Sequence, residues 1–118
     1  MQVLVTNDDG IQADGLATLV KKLSSTAKVT VVAPDREMSA MSHAITVTRP
    51  LRVTEYLDFG GGVKAYAVDG TPSDCVKLAV DVLMEERFDI VVSGINSGPN
   101  LGTDVLYSGT VSGAIEGV

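Results

Sequence analysis

The pattern of apolar and polar positions at the start of the chain predicts a strand, a helix and a second strand. Residues 3–6 form a short apolar run, and residues 29–33 form another that Pro34 stops. Between them, apolar side chains recur at helical spacing and predict an amphipathic helix that ends near Ser24, at Leu16, Leu19, Val20 and Leu23. This order favours two parallel strands joined by a right-handed crossover.

The middle of the chain has a less regular pattern. Residues 45–47, 51–57 and 63–68 have strand-like composition and are divided by Pro50 and a glycine-rich turn over residues 58–62. This pattern predicts an irregular, partly antiparallel excursion from the sheet.

A second helix is predicted from residue 73 to about residue 86, with Thr71 as its N-cap and Pro72 at its first position. A buried strand follows over residues 89–93, then a polar, glycine-rich loop over residues 94–107 and a helix that begins near Ser108. Together the elements predict an α/β fold, with a Rossmann-like three-layer core and a mostly parallel sheet. A chain of 118 residues that is 45% apolar fits one such domain.

Composition and charge limit the kinds of partner and the cellular compartment that we expect for this chain. The net charge is −6 and the nine Lys and Arg residues are scattered, so no nucleic acid polymer is expected as a partner. No leader pattern and no apolar run of membrane-spanning length is present, and no membrane association is expected. The single cysteine, Cys75, cannot form an internal disulfide, which favours a reducing, cytoplasmic compartment. It is interpreted as an inert buried thiol.

Two adjacent carboxylates, Asp8 and Asp9, follow the first strand directly and precede Gly10. Their mutual repulsion is relieved if a cation binds between them, and the carboxyl edge of a parallel sheet is where α/β folds bind ligands. The alternative is that both are ordinary turn residues, since Asp is common in turns and helix caps.

Three polar loops follow three predicted parallel strands, over residues 7–10, 35–42 and 94–107, and are expected to meet at one sheet edge. Asp8, Asp9, Asn96 and a loop hydroxyl such as Ser39 would then supply an all-oxygen shell. Such a shell suits Mg²⁺, Mn²⁺ or Ca²⁺ and disfavours zinc. For Ser39 and Asn96, a hydrogen bond to the local backbone is the alternative.

The predicted helix start after Tyr107 carries Ser108, Gly109 and Thr110, and its unpaired N–H groups favour an anion such as phosphate. A plain capped helix is the alternative. A metal site and an anion site at one sheet edge are what metal-assisted hydrolysis of a phosphate ester needs.

Five separated blocks of the sequence carry its polar loops and helix starts: Val-Thr-Asn-Asp-Asp-Gly (5–10), Ala-Pro-Asp-Arg-Glu-Met-Ser (33–39), Val-Asp-Gly-Thr-Pro-Ser-Asp-Cys (68–75), Ser-Gly-Ile-Asn-Ser-Gly-Pro-Asn (93–100) and Tyr-Ser-Gly-Thr-Val-Ser (107–112). Together these blocks resemble the SurE family, the stationary-phase survival proteins. The resemblance extends along the whole chain and is therefore more specific than any single motif.

The resemblance implies a metal-dependent 5′(3′)-nucleotidase with a Rossmann-like core, acting on nucleoside monophosphates. It implies one divalent metal ion, Mg²⁺ or Mn²⁺, held by Asp8, Asp9, Ser39 and Asn96. It further implies that the substrate is contacted by Asn96, Ser108, Gly109 and Thr110. Asp8 or Asp9 would orient or deprotonate the attacking water, and the sequence does not distinguish them. SurE proteins form dimers and are longer, so residues 1–118 are expected to form a single SurE-like domain without the family's C-terminal part, in a homodimer or homotetramer.

Two other functions are compatible with parts of this pattern. A non-catalytic truncated module that binds metal and phosphate, or that only oligomerises, is favoured by the early chain end. A dinucleotide-binding oxidoreductase is disfavoured, because the first strand leads into Asn-Asp-Asp-Gly instead of the glycine-rich turn that a pyrophosphate needs.

Overall fold

The computed structural model describes residues 1–38, 50–83, 88–94 and 104–107. Its strands are β1 (Gln2–Thr6), β2 (Lys28–Pro34), β3 (Val53–Glu55), β4 (Lys64–Val68), β5 (Ile90–Ser93) and β6 (Asp104–Tyr107). Its helices are α1 (Asp14–Ser24) and α2 (Pro72–Leu78), and α2 continues into a π-helical turn over Ala79–Leu83.

The strands form one mixed sheet in the order β3-β4-β2-β1-β5-β6. β1 lies between β2 and β5 and is parallel to both, and β4 is parallel to β2. The antiparallel pairs are β3 with β4 and β5 with β6, at the two sides of the sheet. The predicted α/β fold, mostly parallel with a partly antiparallel excursion, is therefore confirmed.

Alternating side chains of β1 pack into two separate cores on opposite faces of the sheet. Val3 and Val5 pack with α1 on one face, against a cluster that includes Leu16 and Val20. Leu4 packs on the other face with Cys75 and Ala79 of the α2 region. This alternation is the period of two that a strand imposes, and it produces the helix–sheet–helix layering expected from the sequence.

The start of α2 is fixed by a reciprocal capping box. The Asp74 backbone N–H donates to Thr71 Oγ1 at 3.1 Å, and the Thr71 backbone N–H donates to Asp74 Oδ2 at 2.9 Å. Pro72 occupies the first turn, as predicted. The regular α-helix ends sooner than predicted, since the backbone is π-helical from Ala79.

The C-terminal side of the sheet corrects one prediction. Residues 94–107 were predicted to be a loop, but Asp104–Tyr107 form β6, which runs antiparallel to β5 with Ser93 opposite Asp104 and Ile90 opposite Tyr107. A run of four residues with β-forming Val105 and Tyr107 gains backbone pairing at the side of the sheet, and this outweighs the loop-like glycines that precede it in sequence.

No helix within the described part of the chain has the length and apolar character to cross a membrane.

Candidate functional site

The candidate site lies at the point in the sheet where the chain order of the strands reverses. From β1 the chain moves through α1 to β2 on one side, and later returns through α2 to β5 on the other side. The chain leaves the adjacent carboxyl ends of β1 and β5 at this point, and such a switch point is where open α/β sheets bind ligands. The strand ends are held together there, because the Gly94 backbone N–H donates to the Thr6 carbonyl at 3.0 Å.

Asp8 and Asp9 lie in the turn after β1 at this switch point. Both residues are half-buried, whereas the preceding residues Thr6 and Asn7 are fully buried. The turn thus places two consecutive carboxylates at the boundary between the sheet and the crevice, where each keeps partial access to solvent.

The same turn is closed by side-chain and main-chain hydrogen bonds. Asn7 Oδ1 accepts from the Gly10 N–H at 3.1 Å, and Asn7 Nδ2 donates to the Gly10 carbonyl at 2.8 Å. The residues between them, Asp8 and Asp9, are thereby held in a short loop whose two ends are joined.

Two other carboxylates at this edge have structural partners. Asp35, directly after β2, forms an ion pair with Arg36 at 2.9 Å, and this hydrogen bond raises the pKa of the Arg36 guanidinium. Asp69, directly after β4, accepts the Arg52 backbone N–H at 2.5 Å and joins the start of β3 to the end of β4. The Asp69 contact is structural because it ties two strand ends together, whereas the Asp35–Arg36 pair joins sequence neighbours at the surface.

The donors that the structure brings together are hard oxygen ligands. Within the described ranges, no group of three or more His, Cys, Asp and Glu side chains forms a candidate metal cage. Of the predicted ligands, Asp8 and Asp9 lie within the described ranges, and their carboxylate oxygens suit a hard cation such as Mg²⁺ or Mn²⁺ better than a soft metal.

The other predicted site residues lie outside the described residues. These are the proposed ligands Ser39 and Asn96 and the predicted phosphate contacts Ser108, Gly109 and Thr110. The described strands next to these residues test the prediction that three loops meet at one edge of the sheet. The loops after β1, β2 and β5 start at the same edge, as predicted, whereas β6 ends with Tyr107 opposite Ile90, at the far end of β5 from that edge.

Cys75 lies beside the site region but is not a candidate nucleophile. Its side chain is fully buried in the core on the α2 face. Burial, reinforced by the neighbouring Asp74 carboxylate, raises the pKa of the thiol far above its ordinary value. Because the thiolate is the reactive form, this cysteine is chemically inert in the folded chain, as the sequence predicted.

Sequence reasoning did not identify the contacts between the first two loops. Met38 donates its backbone N–H to the Asp8 carbonyl at 2.7 Å, and Ile11 donates to the Pro34 carbonyl at 2.8 Å. Backbone contacts between distant segments leave no residue-type signal, although the Asn-x-x-Gly spacing at Asn7 and Gly10 does indicate a turn.

Comparison with known proteins finds one family that covers nearly the whole chain. The family model described as "Survival protein SurE" matches residues 3–118. The chain is 59% identical over 117 residues to the 5′-nucleotidase SurE of Moorella thermoacetica, covering 99% of the chain and 45% of that relative. It is 56% identical to the 5′-nucleotidase SurE of Thermosipho africanus, covering 99% of the chain and 46% of that protein.

A solved structure is similar as well. The crystal structure of the SurE protein from Aquifex aeolicus superimposes with a TM-score of 0.72 at 47% identity, over 99% of this chain and 46% of that one. The chain therefore spans about half the length of the relatives it matches.

Proposed function

The chain belongs to the survival protein SurE family, and from that premise we propose that it carries the metal-binding part of a phosphatase that hydrolyses nucleoside monophosphates. The observation that carries the proposal is the position of Asp8 and Asp9, two consecutive half-buried carboxylates at the switch point of the sheet. The name 5′-nucleotidase, borne by relatives more than half identical to the chain, supports the substrate class.

In this proposal Asp8, Asp9, Ser39 and Asn96 hold one divalent ion, Mg²⁺ or Mn²⁺. The bound ion would supply charge neutralisation for the phosphoryl group and activation of the attacking water. Without a cation, two adjacent carboxylates would repel a phosphate dianion, so the acidic pair and the anionic substrate are compatible only when positive charge lies between them.

The remaining steps fall to the chain's own residues. Asp8 or Asp9 orients the water for attack in line with the leaving oxygen, or accepts its proton. Asn96, which follows β5 at the same edge as the two carboxylates, contacts the phosphate with its amide. Ser108, Gly109 and Thr110 are proposed as further contacts, through hydroxyl and backbone N–H groups that stabilise the charge developing on the phosphoryl oxygens. Because β6 ends at the opposite edge of the sheet, these contacts require the chain after Tyr107 to return to the site. No covalent intermediate on a cysteine is involved, since the one thiol is buried and un-ionised.

A second candidate is a module that binds metal and phosphate without turnover, or that serves only in oligomerisation. The observation that favours it is the end of β6 at the opposite edge of the sheet from Asp8 and Asp9, because the predicted phosphate contacts follow β6 directly in the sequence. For either candidate we propose assembly into a homodimer or homotetramer and a cytoplasmic location.

Phosphate release from a panel of nucleoside monophosphates separates the two candidates. The chain is assayed with Mg²⁺ or Mn²⁺, and again after addition of a chelator. We expect release that requires the metal, that is abolished in Asp9→Asn, and that is unchanged in the control Asp58→Asn. Asp58 is exposed in the turn between β3 and β4, and this turn precedes β4 and so lies at the opposite edge of the sheet from Asp9.

Metal-independent release, or normal release by Asp9→Asn, would contradict the proposed chemistry. Metal binding without any release would favour the non-catalytic module.

A further inference from the structure

The turn that carries the two carboxylates is locked by a residue with no part in the proposed metal shell. Asn7 is fully buried and uses both ends of its amide, accepting from the Gly10 N–H and donating to the Gly10 carbonyl. A buried amide with both ends hydrogen-bonded has one orientation, because any rotation would leave polar atoms unsatisfied. Asn7 therefore fixes the spacing between the two ends of the turn that contains Asp8 and Asp9.

Gly10 brings this turn against the backbone of the second loop. Its φ is +102°, a conformation that residues with a side chain rarely adopt. A Cβ at this position would lie 3.0 Å from the Arg36 carbonyl carbon and 3.2 Å from the Arg36 carbonyl oxygen. The close approach of the two loops thus depends on the absence of a side chain at position 10.

Two main-chain hydrogen bonds join the same two loops on either side of this contact. The Met38 N–H donates to the Asp8 carbonyl at 2.7 Å, and the Ile11 N–H donates to the Pro34 carbonyl at 2.8 Å. We call the arrangement the loop clasp: the turn from Asn7 to Ile11, the segment from Pro34 to Met38, and the contacts between them.

We propose that Asn7 and Gly10 are positioning residues, which use the loop clasp to hold the Asp8–Asp9 backbone in the geometry that binds a divalent cation. This inference rests on the proposed metal site. Two like charges on consecutive residues favour separation, and a turn free to relax would let the carboxylates move apart before the ion arrives. The contacts at Asn7, Gly10 and the Asp8 carbonyl restrict this movement before the ion binds. Residues that orient metal ligands in this way affect metal affinity directly.

The test measures Mn²⁺ affinity of the chain directly, by the electron paramagnetic resonance signal of free Mn²⁺, and hydrogen exchange of the Met38 amide without metal. The variants are Asn7→Ala and Gly10→Ala, with Gly61→Ala as the matched control. Gly61 also has a positive φ, +58°, but a Cβ there meets nothing within 4 Å, and it lies in the turn between β3 and β4. The control therefore introduces backbone strain without touching the loop clasp.

We expect Asn7→Ala and Gly10→Ala to bind Mn²⁺ about 10- to 100-fold more weakly than the unchanged chain, the range typical of lost support behind metal ligands. Their Met38 amide should also exchange faster, while Gly61→Ala keeps affinity within about twofold and keeps the amide protected. All affinities are measured below the onset of thermal unfolding, so that loss of the fold does not count as loss of the site.

Unchanged affinity in both Asn7→Ala and Gly10→Ala would overturn the inference, and so would weaker affinity with the Met38 amide still protected. An equal loss in Gly61→Ala would also overturn it, because general destabilisation would then explain the effect. Asp9→Asn separates this inference from the proposed function. Lost affinity in Asp9→Asn with normal affinity in the clasp variants defeats only the positioning role, whereas an unchanged chain that binds no Mn²⁺ defeats both.

Discussion

Replacing Cys75 by alanine should remove a specific pH dependence from the stability of this chain. The thiol is fully buried and its pKa is raised by burial and by the Asp74 carboxylate, so it stays protonated in the folded chain well above neutral pH. In the unfolded chain the thiol ionises near its ordinary pKa of about 8.5. Above that pH the unfolded state has released a proton that the folded state retains, and stability must fall as pH rises.

The size of the effect follows from the linkage between proton binding and folding. Each pH unit above about 8.5 costs about 1.4 kcal/mol, so the loss from this thiol reaches about 2.7 kcal/mol at pH 10.5. Cys75→Ala loses a buried sulfur atom and costs about 1–2 kcal/mol at pH 7. The variant should therefore be less stable than the unchanged chain at pH 7 and should equal it between about pH 9 and 10.

Urea unfolding followed by circular dichroism, at intervals from pH 7 to 10.5, measures this crossing. Comparison with Cys75→Ala cancels the titration of lysines and tyrosines, which both proteins share. Stability curves that stay parallel over the whole range would refute the conclusion that the thiol is held un-ionised. Phosphate release by Cys75→Ala should match that of the unchanged chain, since the proposed attack is by water.

Three further predictions concern a helix cap, core packing and a surface ion pair. Thr71→Val removes the acceptor for a buried backbone N–H in the first turn of α2 and should lower the unfolding free energy by about 1–3 kcal/mol. Thr71→Ser keeps a hydroxyl acceptor and should retain most of the stability. Thermal unfolding of the two variants measures this difference. Leu4→Ala should cost about 2–5 kcal/mol because Leu4 is fully buried in the α2-side core, whereas Leu57→Ala, at a side chain that is 76% exposed, should change stability by less than about 0.5 kcal/mol. Lys77→Ala should change the unfolding free energy by less than about 0.5 kcal/mol, since its 3.0 Å pair with Asp81 is solvent-exposed, and a larger loss would show that the pair is more than a surface contact.

The elements that local patterns control were predicted well. The helical spacing of Leu16 and Val20 and the Thr71-Pro72 start signal each describe one continuous segment. As predicted, α1 ends at Ser24, and α2 begins at Pro72 after its Thr71 cap. The parallel direction of β1, β2 and β5 was predicted from the strand–helix alternation, whereas their order in the sheet was not.

Features that depend on contacts between distant segments were not predicted. β6 is too short for its own pattern to compete with the glycines before it, and its pairing with β5 becomes visible only in three dimensions. The change to π-helical backbone at Ala79 left no mark in the spacing of apolar residues.

The candidate site, too, was predicted only in part. Two adjacent acids after a buried strand can be recognised in sequence, and the structure places Asp8 and Asp9 at the switch point. The loop clasp behind them could not be inferred, because the Met38 N–H and the Asp8 carbonyl belong to the backbone and every residue except proline carries the same groups.

The central claim is that Asp8 and Asp9 bind one hard cation together, and anomalous diffraction from a Mn²⁺-soaked crystal of the chain tests it most directly. We predict a single strong anomalous peak within coordination distance of carboxylate oxygens from both residues. A map without a peak there, with both carboxylates turned toward bulk solvent, would contradict the account.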